Sequence, residues 1–232
     1  METAGYLPAL RRETAAFRGC LLGGDLGAPV EHCGSWTLYE LAGHLGAGHR
    51  TAVSAVTARR PAHRSLAPPR EPAALLRWFD ERSAAVLDVL DADPAGPAWT
   101  FHPPRTVGFW QRRRCLETLV HRWDAQHALG ADPTAFDPEL AADGVAEVLD
   151  TLAPRQVAVG RAAAPRHAVG FEATDTGGSW TYGPGAPQAA VGGRAEDLLL
   201  MLWGRLPADA PGLVWKGDRR AADAVLRGPL VP

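Results

Sequence analysis

From Val107 to about Leu129 the chain reads as one helix, with Thr106 as a candidate cap and Gly130 placed to close it. Inside this segment Glu117 and His121 stand four residues apart, which turns both side chains onto one face, one above the other. A carboxylate and an imidazole so placed can share a metal ion, yet two protein ligands rarely hold a divalent cation alone. A third ligand has to come from elsewhere, so the fold must pack a second element against this helix face. The plain alternative for the pair is a solvated helix face or an ion pair.

The best third ligand is His44. Thr37-Leu-Tyr-Glu40 is a capping box, in which the threonine hydroxyl and the glutamate carboxylate each satisfy a backbone donor at a helix start. The helix it opens is expected to run to about Arg59. His44 lies two turns in, beside the apolar stripe of Leu38, Leu41, Leu45, Ala52 and Val56, so it should face neighbouring helices. Gly43, Gly46 and Gly48 surround it; each costs about 1 kcal/mol relative to alanine in a helix interior, which points to close approach of another element. Two histidines and one carboxylate form a recognised zinc set that leaves a fourth position open. Iron, nickel and manganese accept the same donors. Asp124 shares the face of Glu117 and His121, where it would either orient a ligand histidine or pair with an arginine such as Arg114 or Arg122. The offsets of His49 and His127 turn them away from this centre, and both read as surface histidines. Cys115 reads as a small core residue.

The flanking chain supplies the rest of the fold. Residues 5–22 form an amphipathic first helix, 25–35 a connecting loop, and 61–70 an exposed proline-rich loop. Glu71-Pro72 opens a third helix, stopped by Asp93-Pro-Ala-Gly-Pro97. The aromatic segment 98–105 is expected to wall a pocket. Asp137-Pro138 starts a helix that should reach Leu152 and end at Pro154. The period then changes: residues 168–174 and 179–183 alternate around Asp175-Thr-Gly-Gly178 and predict a β-hairpin, followed by a short strand at 189–191, a helix at 195–204, a strand at 212–216 and a last helix at 218–227. Helices first and a mixed segment afterwards predict an α+β protein, with a helical domain over 1–155 and a smaller α+β domain over 156–232.

At 232 residues and 46% hydrophobic content the chain is long enough and apolar enough for a proper core. Its net charge of -2 gives no electrostatic reason to expect nucleic acid or a membrane surface as partner. No apolar run approaches the roughly 20 residues that span a bilayer, and the start lacks a signal-peptide pattern, so a cytoplasmic location is expected. Three cysteines, Cys20, Cys33 and Cys115, lack zinc-ribbon spacing and are expected as free thiols. No P-loop, dinucleotide fingerprint or Gly-x-Ser-x-Gly elbow is present.

Four stretches taken together resemble a known family. They are Trp36-Thr-Leu-Tyr-Glu-Leu-Ala-Gly-His44-Leu, Arg113-Arg-Cys-Leu-Glu117-Thr-Leu-Val-His121-Arg-Trp-Asp124-Ala, Asp197-Leu-Leu-Leu-Met-Leu-Trp-Gly-Arg205, and Gly217-Asp218. In this order they are similar to the mycothiol-dependent maleylpyruvate isomerases, over nearly the whole chain. The resemblance implies a DinB-like four-helix metal-binding bundle followed by a smaller α+β C-terminal domain. It places zinc, or another divalent metal, on His44, Glu117 and His121, and it gives Arg205 the substrate carboxylate or the cofactor where the domains meet. The family often has His-Glu where this chain has Leu116-Glu117. The implied chemistry is activation of a small-molecule thiol, mycothiol, for addition to an unsaturated anionic or electrophilic small molecule. Elimination after bond rotation would make the protein an isomerase; without it, a mycothiol S-transferase. A catalytically silent binding protein on the same fold is the alternative from another class. A monomer or small homo-oligomer is expected.

Overall fold

A computed structural model describes residues 5–62 and 67–232, in two compact units that divide between Thr134 and Ala135. The first unit is a bundle of α1 (Tyr6–Leu21), α2 (Leu38–Thr57), α3 (Pro72–Leu90) and α4 (Val107–Ala128). Each helix begins where local chemistry allows it. The backbone N–H of Thr37 donates to the Glu40 carboxylate at 2.9 Å, so the expected capping box supplies the start of α2. Glu71 accepts from the N–H groups of Ala73 and Ala74 at 2.8 and 2.7 Å, with Pro72 in the first turn of α3, where its missing donor is no loss. Of the loop expected over 61–70, residues 63–66 lie outside the described residues.

Packing in the bundle is set by apolar stripes at helical spacing. α1 lies along α4 and α3, and α2 along α3 and α4. Phe17, Leu38, Leu41, Leu45, Leu75 and Phe79 are fully buried in one cluster, with the Phe17 and Phe79 rings 5.2 Å apart. The glycines of α2 are spacers. A Cβ on Gly46 would stand 2.3 Å from the Trp78 ring, and one on Gly48 would stand 2.3 Å from the Arg114 guanidinium. The close approach predicted at these glycines is therefore real, and at Gly48 the visitor is a charged group. The aromatic segment before α4 folds back on that helix: Trp110 Nε1 donates to the Trp99 carbonyl at 2.6 Å, and Phe101 meets Phe109 edge-on at 5.0 Å.

The second unit begins with α5 (Pro138–Glu147), capped by the Asp137 side chain accepting from Leu140 N–H at 3.0 Å. The expected stop at Pro154 does not occur. A π-type turn over Val148–Leu152 carries the helix into α6 (Ala153–Ala158), and Pro154 falls in the first turn of α6, where it needs no N–H. The change of hydrophobic period after 155 marks the passage from helix to strand within this unit, whereas the compact units part some twenty residues earlier, roughly in the middle of the short polar stretch that links α4 to α5. A four-stranded sheet follows, in the order β2 (Ser179–Tyr182), β1 (Ala168–Ala173), β3 (Pro187–Gly193), β4 (Val214–Gly217). β1 and β2 form the predicted hairpin, with Val169 opposite Tyr182 and Phe171 opposite Trp180; β1 and β3 are parallel and β4 runs antiparallel to β3. The parallel pair is joined through the β2 excursion, while α7 (Ala195–Leu202) connects β3 toward β4 and α8 (Arg219–Leu226) covers β1 and β3. α5 packs on α7 so closely that a Cβ on Gly144 would lie 2.7 Å from Leu199. Among the described residues, no helix is long and apolar enough to cross a membrane.

Candidate metal centre

The packing of α2 against α4 brings His44, Glu117 and His121 together. One ligand atom from each lies within 4.8 Å of the others. His44 Nε2 and Glu117 Oε1 are hydrogen-bonded at 2.9 Å, and the His44 and His121 rings meet edge-on at 5.0 Å. The cluster is graded in depth: the His44 side chain is 37% exposed and that of Glu117 15%, while His121 is buried. Solvent therefore reaches the group from the α2 side. Trp36, just before the cap of α2, lays its ring 4.8 Å from His44 and limits how that imidazole can turn.

Asp124 settles the orientation of His121. Its carboxylate lies 2.8 Å from His121 Nδ1, and its side chain is wholly buried. Cys33 Sγ–H reaches the same oxygen at 3.7 Å. Burial pushes the His121 imidazole down from its ordinary value, against the pull of Asp124. The ring is thus held neutral near pH 7, the form a metal requires.

Glu117 is held from behind by arginines. Arg114 and Glu117 form a close ion pair, and Arg113 Nε adds a longer contact at 3.4 Å. Burial alone would raise the Glu117 carboxyl; Arg114, Arg113 and His44 together outweigh it and keep the group well below the usual carboxylate range. Arg114 is itself 1% exposed, one of the largest fully buried side chains. Its Nε donates to His49 Nδ1 at 3.2 Å and one terminal nitrogen approaches the Leu45 carbonyl at 3.4 Å. His49 is therefore not a surface histidine, as its offset from His44 predicted, but a fully buried acceptor. Burial and the neighbouring Arg114 hold it neutral, well below its ordinary value. The arginines were missed because charged residues on a helix usually mark the wet face; Gly48 was the available sign that something large sits against α2.

His127 does lie at the surface, against Glu31. Cys115 is a buried core residue as expected, and Leu116 is 1% exposed in the core. Arg205 belongs to the second unit. Its guanidinium donates to the Trp203 carbonyl at 2.7 Å and lies over the Trp203 ring at 5.4 Å.

The bundle gathers two imidazoles and a carboxylate, with an aspartate behind one imidazole and arginines behind the carboxylate, a donor set of the type that can hold a divalent metal. Comparison with known families narrows the class: residues 7–126 match the mycothiol maleylpyruvate isomerase N-terminal domain and residues 139–224 the matching C-terminal domain. The chain belongs to the mycothiol maleylpyruvate isomerase family, which is a family of enzymes. Among solved structures, a mycothiol-dependent maleylpyruvate isomerase has the same fold, with a TM-score of 0.70 and 15% sequence identity over 94% of this chain and 95% of that one. A histidine-to-alanine mutant of such an isomerase aligns equally well, at TM-score 0.70 and 15% identity. No curated protein matches the sequence.

The Asp124–His121 contact carries a prediction. Asp124→Asn keeps the shape but removes the charge that sets the imidazole, so metal affinity should fall by about 10–100-fold. A competition titration against a chromogenic chelator measures this. An unchanged affinity would show that the aspartate serves packing alone.

Proposed function

We propose that the protein is a metal- and mycothiol-dependent isomerase acting on maleylpyruvate or a close unsaturated diacid. The observation that carries this reading is the convergence of His44, Glu117 and His121 in a chain of this family. The donor set fits a zinc-type cation: two imidazoles and a carboxylate, close enough to share one ion, with His121 offering Nε2 because Nδ1 is engaged by Asp124. A cation held there supplies Lewis acidity that lowers the pKa of a thiol, so that the reactive thiolate exists at neutral pH.

The residues of the chain do the remaining work. Arg114 keeps Glu117 ionised and aimed, Asp124 keeps His121 in one tautomer, and Trp36 confines His44. Arg205, anchored on Trp203, is assigned the substrate carboxylate through paired hydrogen bonds, for which a planar guanidinium is suited. Mycothiol bound beside these residues would supply a thiolate able to add reversibly to the double bond conjugated with the substrate carbonyl, which would let that carbon–carbon bond turn from cis to trans before the thiol is released unchanged. No atom is gained or lost, so the thiol is needed in catalytic amount only.

That stoichiometry is the test. Maleylpyruvate conversion by the zinc-loaded protein should require mycothiol and leave it unconsumed. Consumption of one thiol per substrate, with an S-conjugate as product, would replace isomerisation by transfer. Absence of any thiol-dependent turnover in protein carrying stoichiometric metal would overturn the enzymatic reading.

A further inference from the structure

A second group of metal-type donors lies outside the centre described above. Glu31 and His32 sit at the tip of the loop between α1 and α2, and His127 at the last turn of α4. One ligand atom from each lies within 4.8 Å of the others. His127 Nε2 and Glu31 Oε2 are 3.1 Å apart, and the His32 and His127 rings lie face to face with centroids 5.9 Å apart and planes 22° from parallel. From the geometry we infer that Glu31, His32 and His127 form a second, surface site for a divalent transition metal.

Three features make this more than a chance meeting of exposed side chains. The loop is held in shape by its own backbone: Pro29 bridges Thr37, Val30 N–H donates to the Trp36 carbonyl at 2.9 Å, and Cys33 N–H donates to the Val30 carbonyl at 2.9 Å. The His127 ring is stacked on Trp123, one turn earlier in α4, at 4.9 Å and 13°. His32 also lies within 6.0 Å of Trp123, so a single indole backs both imidazoles. Two ring nitrogens and one carboxylate oxygen suit zinc, copper(II) or nickel, and offer too few oxygens for calcium or magnesium. Metal–ligand bonds near 2.0–2.1 Å require the three atoms to draw together, which the Glu31 and His127 side chains, 69% and 40% exposed, have room to do. Water completes the coordination. With its ligands open to solvent, this site is the weaker of the two.

The loop that the cation would fasten also carries Cys33, which touches Asp124, and Trp36, which flanks His44. Occupancy therefore stiffens one wall of the deeper centre and ties it to the end of α4.

Zinc titration of the full chain against a chromogenic chelator tests the inference. The wild-type protein should take up two equivalents, the second more weakly. The double variant His32→Gln, His127→Gln should lose the weak equivalent and keep the tight one, with an unchanged circular dichroism spectrum. His121→Ala should do the reverse. A weak equivalent that survives in the double variant, or a wild-type protein whose one equivalent disappears with His121, overturns the surface site. A single equivalent lost only with His32 and His127 upholds it while removing the deeper centre, so the two proposals fail separately.

Discussion

Replacing His121 with alanine is expected to leave the protein without stoichiometric zinc and to lower mycothiol-dependent turnover by about 100-fold or more, the rate equivalent of the several kcal/mol that a Lewis acid supplies. The loss follows from position. His121 is the buried member of the triad, and its Nδ1 is already committed to Asp124, so its ring is the most firmly fixed of the three. The same change removes the imidazole contact of the Asp124 carboxylate, whose side chain has no solvent exposure, and so should also lower stability by about 1–3 kcal/mol. His44→Ala separates the two effects. Its side chain is 37% exposed, so the variant should lose metal and activity with little change in thermal midpoint. Metal analysis by emission spectrometry, a turnover assay and a thermal melt on both variants make the comparison. Full metal content and wild-type rate in either one would remove the triad from the mechanism.

Arg114→Met should produce the largest loss of stability, about 3–5 kcal/mol, because it removes one partner of a buried ion pair and leaves the other behind. Three groups lose a donor at once: the Glu117 carboxylate, His49 Nδ1 and the Leu45 carbonyl. A urea unfolding curve followed by tryptophan fluorescence reads the change; a midpoint equal to that of the wild type would show that the pair is idle. The pH dependence should change in the same variant. Glu117 is held below its ordinary value in the folded protein, so it contributes stability that is complete above the unfolded value, near about 4.3, and is lost as pH falls through the lower folded value. With Arg114 gone, the raising effect of burial is less opposed, the folded and unfolded values approach each other, and the acid limb attributable to Glu117 should flatten.

The convergence of His44, Glu117 and His121 was legible because these residues obey rules that survive without tertiary knowledge. Four-residue spacing on a helix places Glu117 and His121 on one face, and the Thr37–Glu40 box fixes the start of α2, so the position of His44 along that helix could be counted. What supports the triad was not legible, for a physical reason. Arg113 and Arg114 are buried only because α4 is covered on nearly every side, including positions that would be wet on a peripheral helix; a run of arginines carries no mark of that. His49 was misplaced for the same cause: its offset from His44 was read correctly, but the direction it turned was toward a buried guanidinium instead of water. The course of the chain past Pro154 depends on a π-type turn, which has no periodic signature. Glu31 and His32 meet His127 across 96 residues of sequence, a distance at which spacing rules are silent.

The 2.9 Å contact between His44 Nε2 and Glu117 Oε1 has a kinetic meaning. An ionised carboxylate only accepts, so the proton in that contact belongs to the imidazole nitrogen, which has no lone pair to offer a cation while the contact lasts. Nε2 can serve Glu117 as a donor or a cation as a ligand but not both at once, so loading through this atom is a swap in which its proton leaves or passes to Nδ1. Acidity and buffer strength should therefore govern how fast the protein is charged with metal.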